Sequence, residues 1–191
     1  MKTERLTAFS DGVLAIIITI MVLEMKPPHG ADLATLAKVA PVFLSYILSF
    51  LYVGIYWNNH HHMLHTLNHV NGAVLWANLH LLFWLSLFPF VTAWMGENHF
   101  AMLPTALYGV VLALAGLAYI ILQRTIIRAE GKDGKLAQAV GRDLRGKLSF
   151  ALYVAAVPLA FLCPWISNAI YVFVALMWLV PDRRIERVLG E

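Results

Sequence analysis

Few side chains in this sequence can do chemistry, and they fall into three groups. The first is Arg5-x-x-x-Phe9-Ser10-Asp11, which runs without a loop into the apolar stretch Gly12 to Leu23. The second is Asn71, Asn78 and His80, set in or beside a later apolar stretch. The third is a histidine cluster, His60, His61, His62, His65 and His69. Acids, imidazoles and amides in an apolar setting suit an ion or proton relay, a metal site, or a hydrogen-bonded network that orients helices.

His61, His65 and His69 recur every fourth residue and would share one face of a helix, a spacing that suits Zn²⁺ or Ni²⁺. No carboxylate or cysteine accompanies them, so they are weak metal candidates and no metal is expected. Neutral histidines at an interfacial helix end, or protonation near pH 6.5, account for the same cluster. Catalysis has little support. Ser10-Asp11 lacks an adjacent base, and no paired carboxylates or glycine-rich phosphate loop occur, so neither an enzyme nor a cofactor is expected. Nucleic acid is not an expected partner. Cys163, the one cysteine, excludes an intrachain disulfide and any cysteine-based metal cluster.

The elements that position these residues are membrane helices. Sixty per cent of residues are hydrophobic and 13% charged, and the mean hydropathy is +0.71. Soluble domains carry about 25% charged residues. No cleavable signal peptide is evident, because Phe9-Ser10-Asp11 interrupts the usual pattern. Six apolar segments are predicted, at about Arg5 to Met25, Leu33 to Trp57, Asn71 to Trp94, Met102 to Arg128, Gly146 to Leu162 and Trp165 to Val180. Pro27-Pro28 stops the first, Asp32 caps the second, and Pro181 closes the sixth. The expected fold is therefore all-α and integral to the membrane, one six-helix unit over residues 1–191.

Basic residues orient it. Of the 14 Lys and Arg, only Lys26 and Lys38 fall on one side, leaving 14 − 2 = 12 on the other. Those are Lys2 and Arg5, the link from Arg124 and Arg128 through Lys132, Lys135, Arg142 and Arg145 to Lys147, and the tail Arg183, Arg184 and Arg187. Both termini are expected in the cytoplasm. The basic link can also touch anionic lipid headgroups.

A lipid-facing span needs about 20 apolar residues, more than Gly12 to Leu23 supplies, so the first helix is expected inside the assembly. At about 100° per residue, Ile16, Ile20 and Leu23 form one stripe, with Gly12 and Phe9 extending it and Thr19 on its shoulder. Around an axis such a stripe makes apolar rings that gate by dewetting. An ordinary helix–helix seam gives the same periodicity. Ser10 and Asp11 project away from the stripe. Burying Asp11 unpaired costs about 2.5–3.5 kcal/mol, so partners are expected at matching depth in the third segment: Asn71, Asn78 and His80, with Trp76 or Trp84 indoles.

Arg5-x-x-x-Phe9-Ser10-Asp11, followed by Gly12-Val13 and an Ile/Leu/Thr-rich helix ending Val22-Leu23-Glu24, resembles the prokaryotic transmembrane protein 175 family, bacterial and archaeal relatives of the endolysosomal potassium channel. The Tyr56-Trp57-x-x-His60 junction and the six-helix span resemble it too. The resemblance implies a potassium-selective, leak-type channel, K⁺ as permeant ion, and a homotetramer in the cell membrane around the first helix. It implies a constriction at Ile16, Ile20 and Leu23, with Thr19 as the polar layer. It implies no carbonyl filter, and no Thr-Val-Gly-Tyr-Gly stretch occurs. Arg5, Phe9, Ser10, Asp11, Asn78 and His80 are then the structural network that sets the rotation of the first helix. The rival reading is a proton- or ion-coupled secondary transporter that uses Asp11 and His80.

Overall fold

The computed structural model describes residues 3–131, 134–140 and 143–179, and within them the chain is helical without strands. The helices are α1 (Thr3–Leu23), α2 (Leu33–Ala37), α3 (Ala40–His65), α4 (Gly72–Ser86), α5 (Phe88–Glu97), α6 (Met102–Glu130), α7 (Lys135–Val140), α8 (Leu144–Leu162) and α9 (Pro164–Leu179). Five stretches are long and apolar enough to cross a membrane: α1, α3, α4 with α5, α6 and α8. The apolar α9 is shorter among the described residues. Expectations for Lys2, Lys132, Arg142, Val180, Pro181, Arg183, Arg184 and Arg187 lie outside the described residues.

Local chemistry explains most boundaries. After Leu23 the chain makes one more turn, Glu24 N–H to Ile20 carbonyl at 3.0 Å, before Pro27-Pro28 forbids continuation. Asp32 caps α2, accepting from Thr35 N–H at 2.7 Å and from Thr35 Oγ1 at 3.1 Å. Those bonds, the backbone one foremost, hold its carboxyl below the ordinary carboxylate range.

Two predicted segments differ from what forms. The second was expected to run unbroken from Leu33 to Trp57. It is instead α2 followed by α3, because Pro41 sits in the first turn of a new helix, where its missing N–H does no harm. That helix then runs on through the histidines to His65, since no proline or glycine follows Gly54 to break it. The third segment is two helices. Pro89 has no N–H for the Leu85 carbonyl, and at Leu87 the chain tightens to a bond with Trp84 at 3.3 Å.

α6 is the hub, packing against α4, α5, α8 and α9. Apolar contact gives helices little preference for one another over lipid, so interhelical hydroxyls carry specificity. Ser49 Oγ lies 2.6 Å from Thr92 Oγ1 and 2.9 Å from Tyr108 Oη. Tyr52 Oη donates to the Tyr171 carbonyl at 2.7 Å, and Tyr171 Oη to the Thr105 carbonyl at 3.1 Å. Small residues permit the approach. Gly109 leaves room for the Tyr171 ring, and Gly96 lets α5 lie against the α3 backbone. α1 stands to one side, packed against α3, α4 and α5.

A methyl group at Gly96 would sit 2.7 Å from Val42 Cα, a backbone atom that no rotamer change can move. Gly96→Ala is expected to cost about 1–3 kcal/mol, read as a lower melting temperature in detergent. Gly54→Ala, where a methyl would meet nothing within 4 Å, should be neutral or stabilising.

Candidate functional site

α1 has two faces. Leu6, Ser10, Leu14, Ile17 and Met21 recur at four- and three-residue steps and are buried against α3, α4 and α5. Phe9, Ile16, Ile20 and Leu23 lie on the other face at 53%, 58%, 39% and 78% exposure, an apolar ridge without a partner among the described residues. Gly12 on the same side has open space beyond it. Thr19 is exposed beside the ridge, its Oγ1 donating to the Ile16 carbonyl at 2.8 Å. With its proton so engaged, the hydroxyl keeps its lone pairs toward the open side.

The buried face is anchored by a chain of bonds whose direction is fixed from one end. Ser10 Oγ donates to the Leu6 carbonyl at 2.9 Å. It therefore accepts from Asn78 Nδ2, 3.0 Å away. That leaves Asn78 Oδ1 as an acceptor for His60 Nε2 at 2.6 Å, so the proton of His60 sits on Nε2. Ser10, Asn78 and His60 are all buried, and each comes from a different helix: α1, α4 and α3.

One turn along, Asp11 Oδ1 accepts from Trp57 Nε1 at 2.9 Å. Asp11 and Trp57 are both partly open. The acid thus has a neutral donor rather than a cation, and it keeps one oxygen for solvent.

Sequence reasoning brought Ser10 and Asn78 together, and they touch. It placed other partners differently from the structure. The indole that meets Asp11 belongs to Trp57 of α3, not to Trp76 or Trp84 of α4. Trp76 is 75% exposed, and Trp84 donates to His80 Nε2 at 3.0 Å. His80 is therefore occupied within its own helix and does not join Ser10 or Asp11. Asn71 caps α4 through Val74 N–H at 2.9 Å. Arg5 and Phe9 are exposed on α1, outside the bonded set. Trp57 and His60 were missed as anchors. Their three-residue spacing on α3, in the Tyr56-Trp57-x-x-His60 junction, was the available signal.

The weak metal candidates do not converge. The rings of His61 and His65 follow one another along α3 with centroids 4.4 Å apart and planes tilted by 56°. His69 lies beyond the end of that helix. Among the described residues no group of three His, Cys, Asp or Glu is placed to hold a metal ion.

The family model described as endosomal/lysosomal potassium channel TMEM175 matches residues 5–89, from the motif on α1 to the start of α5. A protein of Chryseobacterium sp. (strain P1-3) named a potassium channel is 54% identical, with 100% of both chains covered. A second protein so named, from Chamaesiphon minutus, is 31% identical, with 87% of this chain and 88% of that protein covered. The crystal structure of a lysosomal potassium-selective channel TMEM175 homolog from Chamaesiphon minutus superposes with a TM-score of 0.82 at 25% identity. It covers 94% of this chain and 97% of that one. The family match falls on α1 and the helices that anchor it, and the likeness to the Chryseobacterium protein runs from end to end: the chain belongs to the TMEM175 family.

Proposed function

We propose that this chain is a potassium-selective, leak-type channel of the cell membrane. In this reading residues 1–191 form one six-helix unit with both termini in the cytoplasm. Four copies surround an axis lined by α1. The names of the two bacterial relatives, one similar over its full length and one over 88% of it, support the potassium reading. The observation that carries the pore assignment is the division of α1. One face is held by hydrogen bonds to α3 and α4, and another is a ridge of branched aliphatics left uncovered by the described residues.

On that reading Ile16, Ile20 and Leu23 make stacked apolar rings. Water leaves such a constriction readily, so passage depends on ring width and on what replaces the ion's hydration. Thr19 supplies oxygen lone pairs at that level. Ser10, Asp11 and Asn78 are assigned structural roles around the first helix, with Trp57 and His60 as their partners, while Arg5, Phe9 and His80 stand outside that network. Ser10 and Asn78 supply the bond that fixes its rotation. No metal or other cofactor is assigned a role, and K⁺ is the permeant ion.

The test is flux in liposomes, with K⁺ and Na⁺ on opposite sides of the membrane. Leu23→Ala widens a ring and Ile16→Asn wets one. Each is expected to raise flux on the order of tenfold, about 1.4 kcal/mol off the barrier, with reduced preference for K⁺. If both variants keep wild-type flux and selectivity, the ridge does not line the pore.

Asp11→Asn separates a channel from a carrier. An amide keeps an oxygen for the Trp57 indole, so a channel should conduct within about threefold of wild type. A coupled carrier that relays charge through Asp11 should stop transporting.

The anchor has its own readout. Ser10→Ala leaves the buried Asn78 amide without an acceptor for its N–H, a loss of about 1–3 kcal/mol. Asn78→Ala should cost a similar amount. The double variant should lose clearly less than the sum, because the two residues share one bond. Additive losses in thermal melting would mean that the bond does not exist.

A further inference from the structure

Away from α1, a cleft of about 210 Å³ opens between α6 and α8. It is lined by Ile120, Gln123, Arg124 and Ile127 of α6, Val140 at the end of α7, and Asp143 and Lys147 where α8 begins. Arg124 and Lys147 are exposed on its opposite walls. Neither side chain makes a hydrogen bond or ion pair among the described residues, where the one ion pair joins Lys26 to Glu97 at 3.8 Å. Two cations of like sign line one gap.

The one acid among the described lining residues, Asp143, offsets at most one of the two cations. Asp143 Oδ1 accepts from Gly146 N–H at 3.1 Å, so its carboxylate caps the positive end of α8.

The depth is that of a lipid headgroup. Arg124 lies 22 residues beyond Met102 in α6, roughly 33 Å along the axis at about 1.5 Å per residue. The hydrocarbon core is about 30 Å thick, so the guanidinium stands at its edge. Ile120, one turn deeper on the same wall, offers an apolar surface where an acyl chain would run. The far side is closed by α7, whose Leu136 and Ala139 are buried.

We propose that this cleft binds an anionic phospholipid. The Arg124 fork and the Lys147 ammonium hold its phosphate, and the first part of an acyl chain lies along Ile120. A free phosphate would satisfy the cations equally well but would leave the apolar wall bare. The lipid uses both.

The experiment is native mass spectrometry of the full chain in detergent, titrated with phosphatidylglycerol, phosphatidylcholine or inorganic phosphate. The wild type should retain phosphatidylglycerol well above phosphatidylcholine. R124Q/K147Q should lower the retained phosphatidylglycerol about tenfold. R128Q, an exposed basic residue on the same helix but outside the cleft, should leave it unchanged. R124K keeps the charge and removes the fork, so it should give a partial loss. It also serves if the double variant fails to fold. Equal retention of the two lipids, or a loss in R128Q as large as in the double variant, would overturn the proposal in favour of diffuse charge attraction. Displacement of phosphatidylglycerol by millimolar phosphate would reassign the cleft to a free anion.

Discussion

A single amide side chain sets the geometry of the candidate pore helix. Asn78 is buried and must use both ends of its amide. Its donor end meets Ser10 on α1 and its acceptor end meets His60 on α3. In a membrane interior, no water is at hand to take over either bond. Turning α1 by one residue would carry Ser10 about 100° away and leave the amide unpaired. The exposed ridge is therefore a consequence of the buried polar face, since the two stand at a set angle, about 110°, on the same cylinder.

The same logic runs through the rest of the assembly. Leucine and isoleucine pack against lipid nearly as well as against each other, so apolar contact alone does not choose neighbours. The hydroxyls do. Ser49, Thr92 and Tyr108 join α3, α5 and α6, and Tyr52, Tyr153 and Tyr171 tie α3, α8 and α9. Glycines at the crossings let these short side chains reach. α1 is attached to this frame by the Asn78 bond, the Trp57–Asp11 bond and a narrow apolar seam. It is thus an ordered helix with one open side.

Apart from Arg5, which precedes Phe9 by one turn on the same stripe, the charges are kept away from that side. The motif acid meets an indole rather than a cation, and the cations of α6 and α8 collect at a different edge of the structure, around the cleft. The proposed pore lining by α1 and the proposed lipid site between α6 and α8 therefore draw on separate residues and can be tested separately.

Much was legible in the sequence. Composition and the placement of basic residues gave the class, because the bilayer imposes length and charge rules on any chain that enters it. The four- and three-residue steps of Ile16, Ile20 and Leu23 made a stripe, because helical geometry is local. Depth arithmetic set Ser10 and Asp11 level with the Asn71 and Asn78 face, because both helices rise by the same amount per residue, and of the two it is Ser10 that bonds Asn78. What needed the tertiary structure was mutual rotation and lateral placement. Trp57 rather than Trp76 or Trp84 meets Asp11, His60 rather than His80 completes the chain, and α1 touches α3, α4 and α5 while its ridge stays open. Each depends on how separate helices sit side by side. No single helix encodes that, because it is settled only when every buried donor and acceptor in the assembly has found a partner.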